Sequence, residues 1–195
     1  MNDLLFMMMP FVDNFWHTQC TVMLTPRLPL YIPCVYVVFM YVGVAASNSP
    51  FVSSRLLAYP SLGRSSVAAL TSGLFYSLYD LVGAKYLWWS WHTTDAATYE
   101  RWLGVPFGST LWTIVHVFCF SMLLHWSVFE DGVQSGGGGG GGWKKGWSKG
   151  LMFTGFLATP MMMIAMGPFQ LHQLIFAFDD KGYPTIVQQP GKPGE

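Results

Sequence analysis

Four stretches of this chain are too long and too apolar to be half-buried helices of a water-soluble domain. Crossing a hydrocarbon layer about 30 Å thick takes roughly 20 apolar residues at a rise of 1.5 Å each. Residues 28–47, "LPLYIPCVYVVFMYVGVAAS", meet that length without a charge. Residues 66–84 meet it with Asp80 as the one interruption, and residues 105–128 meet it with two histidines, His116 and His125. A fourth stretch, from Gly150 to residue 176, is longer than a straight crossing needs and holds Pro160 and the pair Gly167–Pro168. It is expected to kink, or to end near Met166 and continue as a separate interfacial piece.

The charge content agrees. Only 10% of the 195 residues are charged and 52% are hydrophobic, whereas a soluble domain carries about 25% charged residues because its surface faces water. Net charge is zero, so no field draws nucleic acid. The expected class is an all-α, polytopic transmembrane helical bundle of four spans, integral to a membrane whose identity the sequence leaves open. Neither a basic leader nor a small-residue cleavage site opens the chain, so no cleavable signal peptide is expected. Cys20, Cys34 and Cys119 are odd in number and widely spaced, which fits neither a disulfide framework nor a zinc site.

Residues 4–24 form a candidate fifth helix. Asp13, His17 and Cys20 recur at i, i+4 and i+7 and would share one face. Charge at mid-bilayer is costly, so this piece is expected to lie in the interface as an amphipathic N-terminal segment, residues 1–26. Residues 27–178 then form the transmembrane domain and 179–195 a polar tail. The loop 130–149 contains seven consecutive glycines, 136–142, which read as a flexible linker. Residues 93–104 read as a short helix capped by Thr94 or Asp95 and stopped by Gly104. With four spans the Lys and Arg residues divide five against five between the two sides, so the positive-inside rule gives no orientation.

Asp80 is the strongest chemical signal. It continues a face of small residues, Ser66, Ala69, Gly73 and Ser77, that lets two membrane helices approach closely. It should therefore point at protein or a cavity, either as a structural hydrogen-bond partner or as an acid–base group. His116 lies near the middle of the third span, with Ser109 and Thr113 on its face, and is the candidate proton partner of Asp80. His172, after the Gly167–Pro168 break, is a third candidate polar group at a site formed by broken helices. No HxxxH, HxxH or ExxH spacing occurs, so no metal is expected. One histidine per helix is poor ground for haem, and no GxGxxG, P-loop or GxSxG is present, so no cofactor is expected. Tyr86, Trp88, Trp89 and Trp91 follow the second span beside Lys85 and read first as an interfacial anchor.

The run from Asp80 through "YLWWSWH" to "YERWLGVPFGSTLW" resembles the membrane-bound carotenoid hydratase family over residues 75–115. The matching positions are Asp80, Trp89, Trp91, Gly104, Pro106 and Trp112; Ser109 stands where that family often has asparagine. The resemblance implies a lipid-soluble isoprenoid substrate and its hydration or isomerisation. In such a reaction Asp80 and His116 would be catalytic, and Trp89, Trp91, Trp112 and His172 would shape the binding pocket. The competing reading is a non-catalytic membrane subunit or scaffold whose small faces pack against partner helices. A small transporter is third.

Overall fold

The computed structural model describes residues 15–53, 60–91, 101–130 and 142–176. They form β1 (Phe15–His17), β2 (Met23–Thr25), β3 (Leu28–Pro29), α1 (Tyr31–Ser47), α2 (Pro50–Ser53), α3 (Pro60–Lys85), β4 (Trp89–Trp91), β5 (Arg101–Trp102), β6 (Val105–Pro106), α4 (Phe107–Leu124), a π turn (His125–Glu130) and α5 (Gly142–Phe176). Three helical segments, Ser61–Lys85, Phe107–Ser127 and Met152–Phe169, are long and apolar enough to cross a membrane. The fourth apolar helix, Tyr31–Ser47, is shorter.

Helix starts follow proline chemistry. Leu28–Pro29 pair with β2, so α1 starts at Tyr31 instead of residue 28. Pro33 thereby falls in the first turn, where its missing N–H has no intrahelical partner to lose. Pro60 opens α3 at the position that suits its fixed φ. Helix α5 is continuous through Pro160 and Pro168, so residues after Met166 do not form the separate interfacial piece.

The four long helices pack in chain order, α1 on α3, α3 on α4 and α4 on α5. Each neighbouring pair is antiparallel. Ser72 donates to the Phe39 carbonyl at 2.7 Å, and Ser77 lies 3.3 Å from Thr110. Ser127 lies 3.2 Å from Thr154. At Gly43 the helices α1 and α3 touch so closely that an added Cβ would sit 2.4 Å from the Ala68 carbonyl oxygen. Small residues make such approaches geometrically open.

Small polar residues share the interior with apolar ones, and large apolar residues cover the outside. Ser47, Ser65, Ser72, Ser121 and Thr154 are fully buried. Val37, Tyr41, Leu70, Leu74, Phe156 and Ile164 face outward. A contiguous apolar exterior of this kind needs a covering medium. Three apolar helices of crossing length are compatible with membrane localisation.

One end of this row carries short antiparallel ribbons, β1–β4, β2–β3 and β5–β6. The amphipathic helix expected over residues 4–24 is not what residues 15–25 form. Phe15, Trp16 and His17 pair with Trp91, Ser90 and Trp89. Bulky aromatic residues suit a paired strand better than a helix, and the partner strand lies more than seventy positions away, beyond any helical periodicity. Residues 1–14 lie outside the described set, as do the glycine run up to residue 141, the expected short helix over 93–100 and the tail from 177. Gly104, read as a helix stop, instead closes the β5–β6 hairpin. Leu103 and Gly104 both have positive φ, 52° and 88°, and Arg101 pairs with Pro106, as in a two-residue turn of type I′.

Candidate functional site

The ribbon-bearing end gathers the chemistry. Helix α3 ends there in a Schellman arrangement: the Trp88 N–H donates to the Gly83 carbonyl at 2.8 Å and the Leu87 N–H to the Ala84 carbonyl at 3.3 Å. Leu87 occupies the left-handed position, φ 58°, that glycine usually takes. The chain then turns back, and the Trp89 ring lies on Gly83, whose Cβ, if present, would meet the ring at 2.1 Å. Trp89 is thus buried, 6% exposed, in a cluster with Leu28 and Ile32, flanked by Tyr31, Tyr36, Tyr79 and Trp91.

The N-terminal segment fastens this turn. The Thr18 N–H donates to the Trp88 carbonyl at 2.8 Å, and the Thr18 hydroxyl donates to the Leu87 carbonyl. The Tyr31 hydroxyl donates to the Trp88 carbonyl at 3.4 Å. The His17 ring meets Trp89 edge-on at 6.4 Å, and its Nδ1–H donates to the Arg27 carbonyl at 3.4 Å. Burial, ahead of the nearby Arg27 charge, lowers the His17 pKa to about 4, so the ring is neutral at pH 7. The Arg27 guanidinium stacks over Trp16 at 4.3 Å.

Asp80 lies one turn inside this end, between α3 and α4, and is 1% exposed. Ser109 donates to its Oδ2 at 2.6 Å, and the Tyr76 hydroxyl is 3.1 Å from the Ser109 oxygen. A serine has one proton to give. Since Ser109 gives it to Asp80, Tyr76 is the donor to Ser109, and a directed chain runs Tyr76 to Ser109 to Asp80. Next to it, Ser77 donates to the Gly73 carbonyl at 2.7 Å, so Thr110 donates to Ser77. The small-residue face of α3 is therefore a seam of hydroxyl bonds to α4.

The other residues singled out in the sequence fall in different places. His116 is buried on α4 seven residues beyond Ser109, a rise of about 10 Å. Trp112 packs beside Cys119, Met162 and Met166 between α4 and α5, away from Trp89. His172 is on α5, and its side chain lies outside the described set. Trp89 and Trp91 line an open cleft of ≈ 620 Å³, together with Lys85, Leu87, Arg101 and Leu103. Asp80 is not among the residues lining it. Among the described residues, no three His, Cys, Asp or Glu side chains gather to hold a metal.

Arg101 and Tyr76 escaped sequence reasoning. Arg101 donates to the Trp91 carbonyl at 2.9 Å and thereby joins the hairpin to β4. Burial draws its guanidinium below its ordinary pKa. Tyr76 could have been found as the residue one turn before Asp80 on the same helix face.

A family model described as a domain of unknown function (DUF7802) matches residues 1–129. No curated protein and no solved structure matches the chain. The matched span covers α1, α3, α4 and all three ribbons, and it stops before α5.

Proposed function

We propose that this chain, which belongs to the DUF7802 family, a domain of unknown function, is a non-catalytic, multi-pass membrane subunit whose small-residue faces pack helices together. One observation carries this reading: the Asp80 carboxylate is buried, accepts a 2.6 Å bond from Ser109 on the neighbouring helix, and does not line the cleft. An acid placed to protonate a substrate must reach it within hydrogen-bond distance or through one water. Here the acid reaches the facing helix. The outward Val37, Val38 and Tyr41 of the short helix α1 provide an apolar surface for a partner helix.

The resemblance to membrane-bound carotenoid hydratases is supported by a different feature, the placement of Trp89 and Trp91 on one cleft. Under that reading an isoprenoid would lie in the cleft and Asp80 would have to turn out of its bond with Ser109. One experiment separates the two. Lipids copurifying with the wild-type protein and with Asp80→Asn are compared by mass spectrometry. The subunit reading expects the same lipids in both. A polyene that accumulates unhydrated only with Asp80→Asn would overturn it in favour of the enzyme.

A further inference from the structure

The cleft that Asp80 does not reach has a chemistry of its own. Among the described residues that line it, two are cations, Lys85 at the last turn of α3 and Arg101 on β5, and none is acidic. Its walls include Leu81, Leu87 and Leu103. Arg101 is held in place, since one N–H of its guanidinium is bonded to the Trp91 carbonyl. The Trp89 ring forms part of the lining, and its indole N–H is buried with no acceptor among the described residues.

The surroundings decide the ligand's source. Tyr86, Leu87, Trp88, Trp102, Leu103 and Phe107 all project outward at this end of the helices. Such a collar marks the depth at which hydrocarbon gives way to head groups. A cleft at that depth, lined by two cations and three leucines, matches an amphiphile whose head is anionic and whose tail is apolar. Basic pockets beside membrane helices recognise phosphate head groups in this way, and a guanidinium matches phosphate geometry with paired N–H donors.

We propose that the cleft between the C-terminal end of α3 and the β5–β6 hairpin binds the phosphate head group of an anionic membrane lipid, with Lys85 and Arg101 supplying the charge and Trp89 and Trp91 flanking it. The proposal rests on the membrane reading above but not on the role of Asp80.

The test uses the full chain, delipidated in detergent micelles and titrated with short-chain phosphatidylglycerol, phosphatidylcholine or inorganic phosphate. Native mass spectrometry counts the bound states. Phosphatidylglycerol should bind in preference to phosphatidylcholine, and inorganic phosphate should fail to displace it at equal concentration. Lys85→Gln should weaken phosphatidylglycerol binding about fivefold, at roughly 1 kcal/mol per basic residue near a lipid surface. Lys149→Gln, which removes the same charge near the N-terminal end of α5, should leave it unchanged. Arg101→Gln should weaken it further, and because that variant also loses the bond to Trp91, Lys85→Gln carries the decision. Equal binding of the two lipids, equal effects of Lys85→Gln and Lys149→Gln, or displacement by inorganic phosphate would each overturn the lipid site. Membrane insertion is scored separately by alkaline carbonate extraction, so a chain that inserts yet shows no lipid preference loses this proposal alone.

Discussion

Ser109 gives its hydroxyl proton to Asp80 across the α3–α4 interface at 2.6 Å, and Tyr76 supports Ser109 from one turn below Asp80. Removing either donor takes a hydrogen bond out of the α3–α4 interface. Hydrogen bonds between membrane helices average about 0.6 kcal/mol and reach about 1.7. Leaving a buried acceptor short of a donor costs about 1–3 kcal/mol. Ser109→Ala should therefore destabilise the protein by about 1–2 kcal/mol, and Tyr76→Phe by less, measured by unfolding in mixed micelles. A loss for Tyr76→Phe larger than for Ser109→Ala would reverse the assigned direction of the chain.

Close approach of α1 and α3 depends on Gly43. Gly43→Ala places a methyl group 2.4 Å from the Ala68 carbonyl oxygen, and backbone cannot move aside as a side chain can. Overpacking of this kind costs about 1–3 kcal/mol. Gly155 on α5 has open space at the same position. There Gly155→Ala should be neutral, or stabilising by up to about 1 kcal/mol through helix propensity. A loss for Gly43→Ala with no loss for Gly155→Ala, read as shifts in thermal midpoint, tests the packing directly.

Leu87 sits in the left-handed region at the end of α3. A side chain there costs about 1–2 kcal/mol that glycine does not incur. Leu87→Gly should raise the thermal midpoint, while β-branched Leu87→Val should lower it. Two equally destabilised variants would contradict the Schellman geometry.

His17 gives the cap a pH dependence of definite sign. Its pKa falls from 6.5 in the unfolded chain to about 4 in the fold because burial disfavours the charged ring. Above pH 6.5 both forms are neutral and the contribution is complete. Between 6.5 and 4 the unfolded chain takes up the proton first, so stability falls as pH falls, and below about 4 the contribution is gone. Thermal midpoints measured from pH 8 to 4 should show this decline. His17→Phe keeps an aromatic edge for Trp89 and should flatten it.

Much of the helical frame was legible in the sequence because hydrocarbon solvation acts on composition alone. Apolar length located α1, α3, α4 and α5, and the small-residue face of α3 located the interface in which Asp80 is buried. The ribbons were not legible for a physical reason. Strands of two or three residues carry no periodicity, and β1 meets β4 only because α1 and α3 bring distant segments to one end. For the same reason "YLWWSWH" read as a uniform interfacial anchor, whereas the structure divides it. Trp88 is exposed, and Trp89 is buried against Gly83. Spacing also could not reveal that Arg101, rather than a histidine, would share a cleft with Trp89 and Trp91, since β4 pairs with the distant β1 while Arg101 sits on a separate hairpin closed by the positive-φ pair Leu103–Gly104.

The central claim is that Asp80 and Ser109 work as a pair that joins two helices. A double-mutant cycle with Asp80→Asn, Ser109→Ala and the double variant measures that pair by unfolding in mixed micelles. A coupling energy of about 0.6–2 kcal/mol is predicted, with the double variant losing less than the sum of the single losses. Strictly additive losses would contradict the account, because Asp80 would then owe its burial to something other than Ser109.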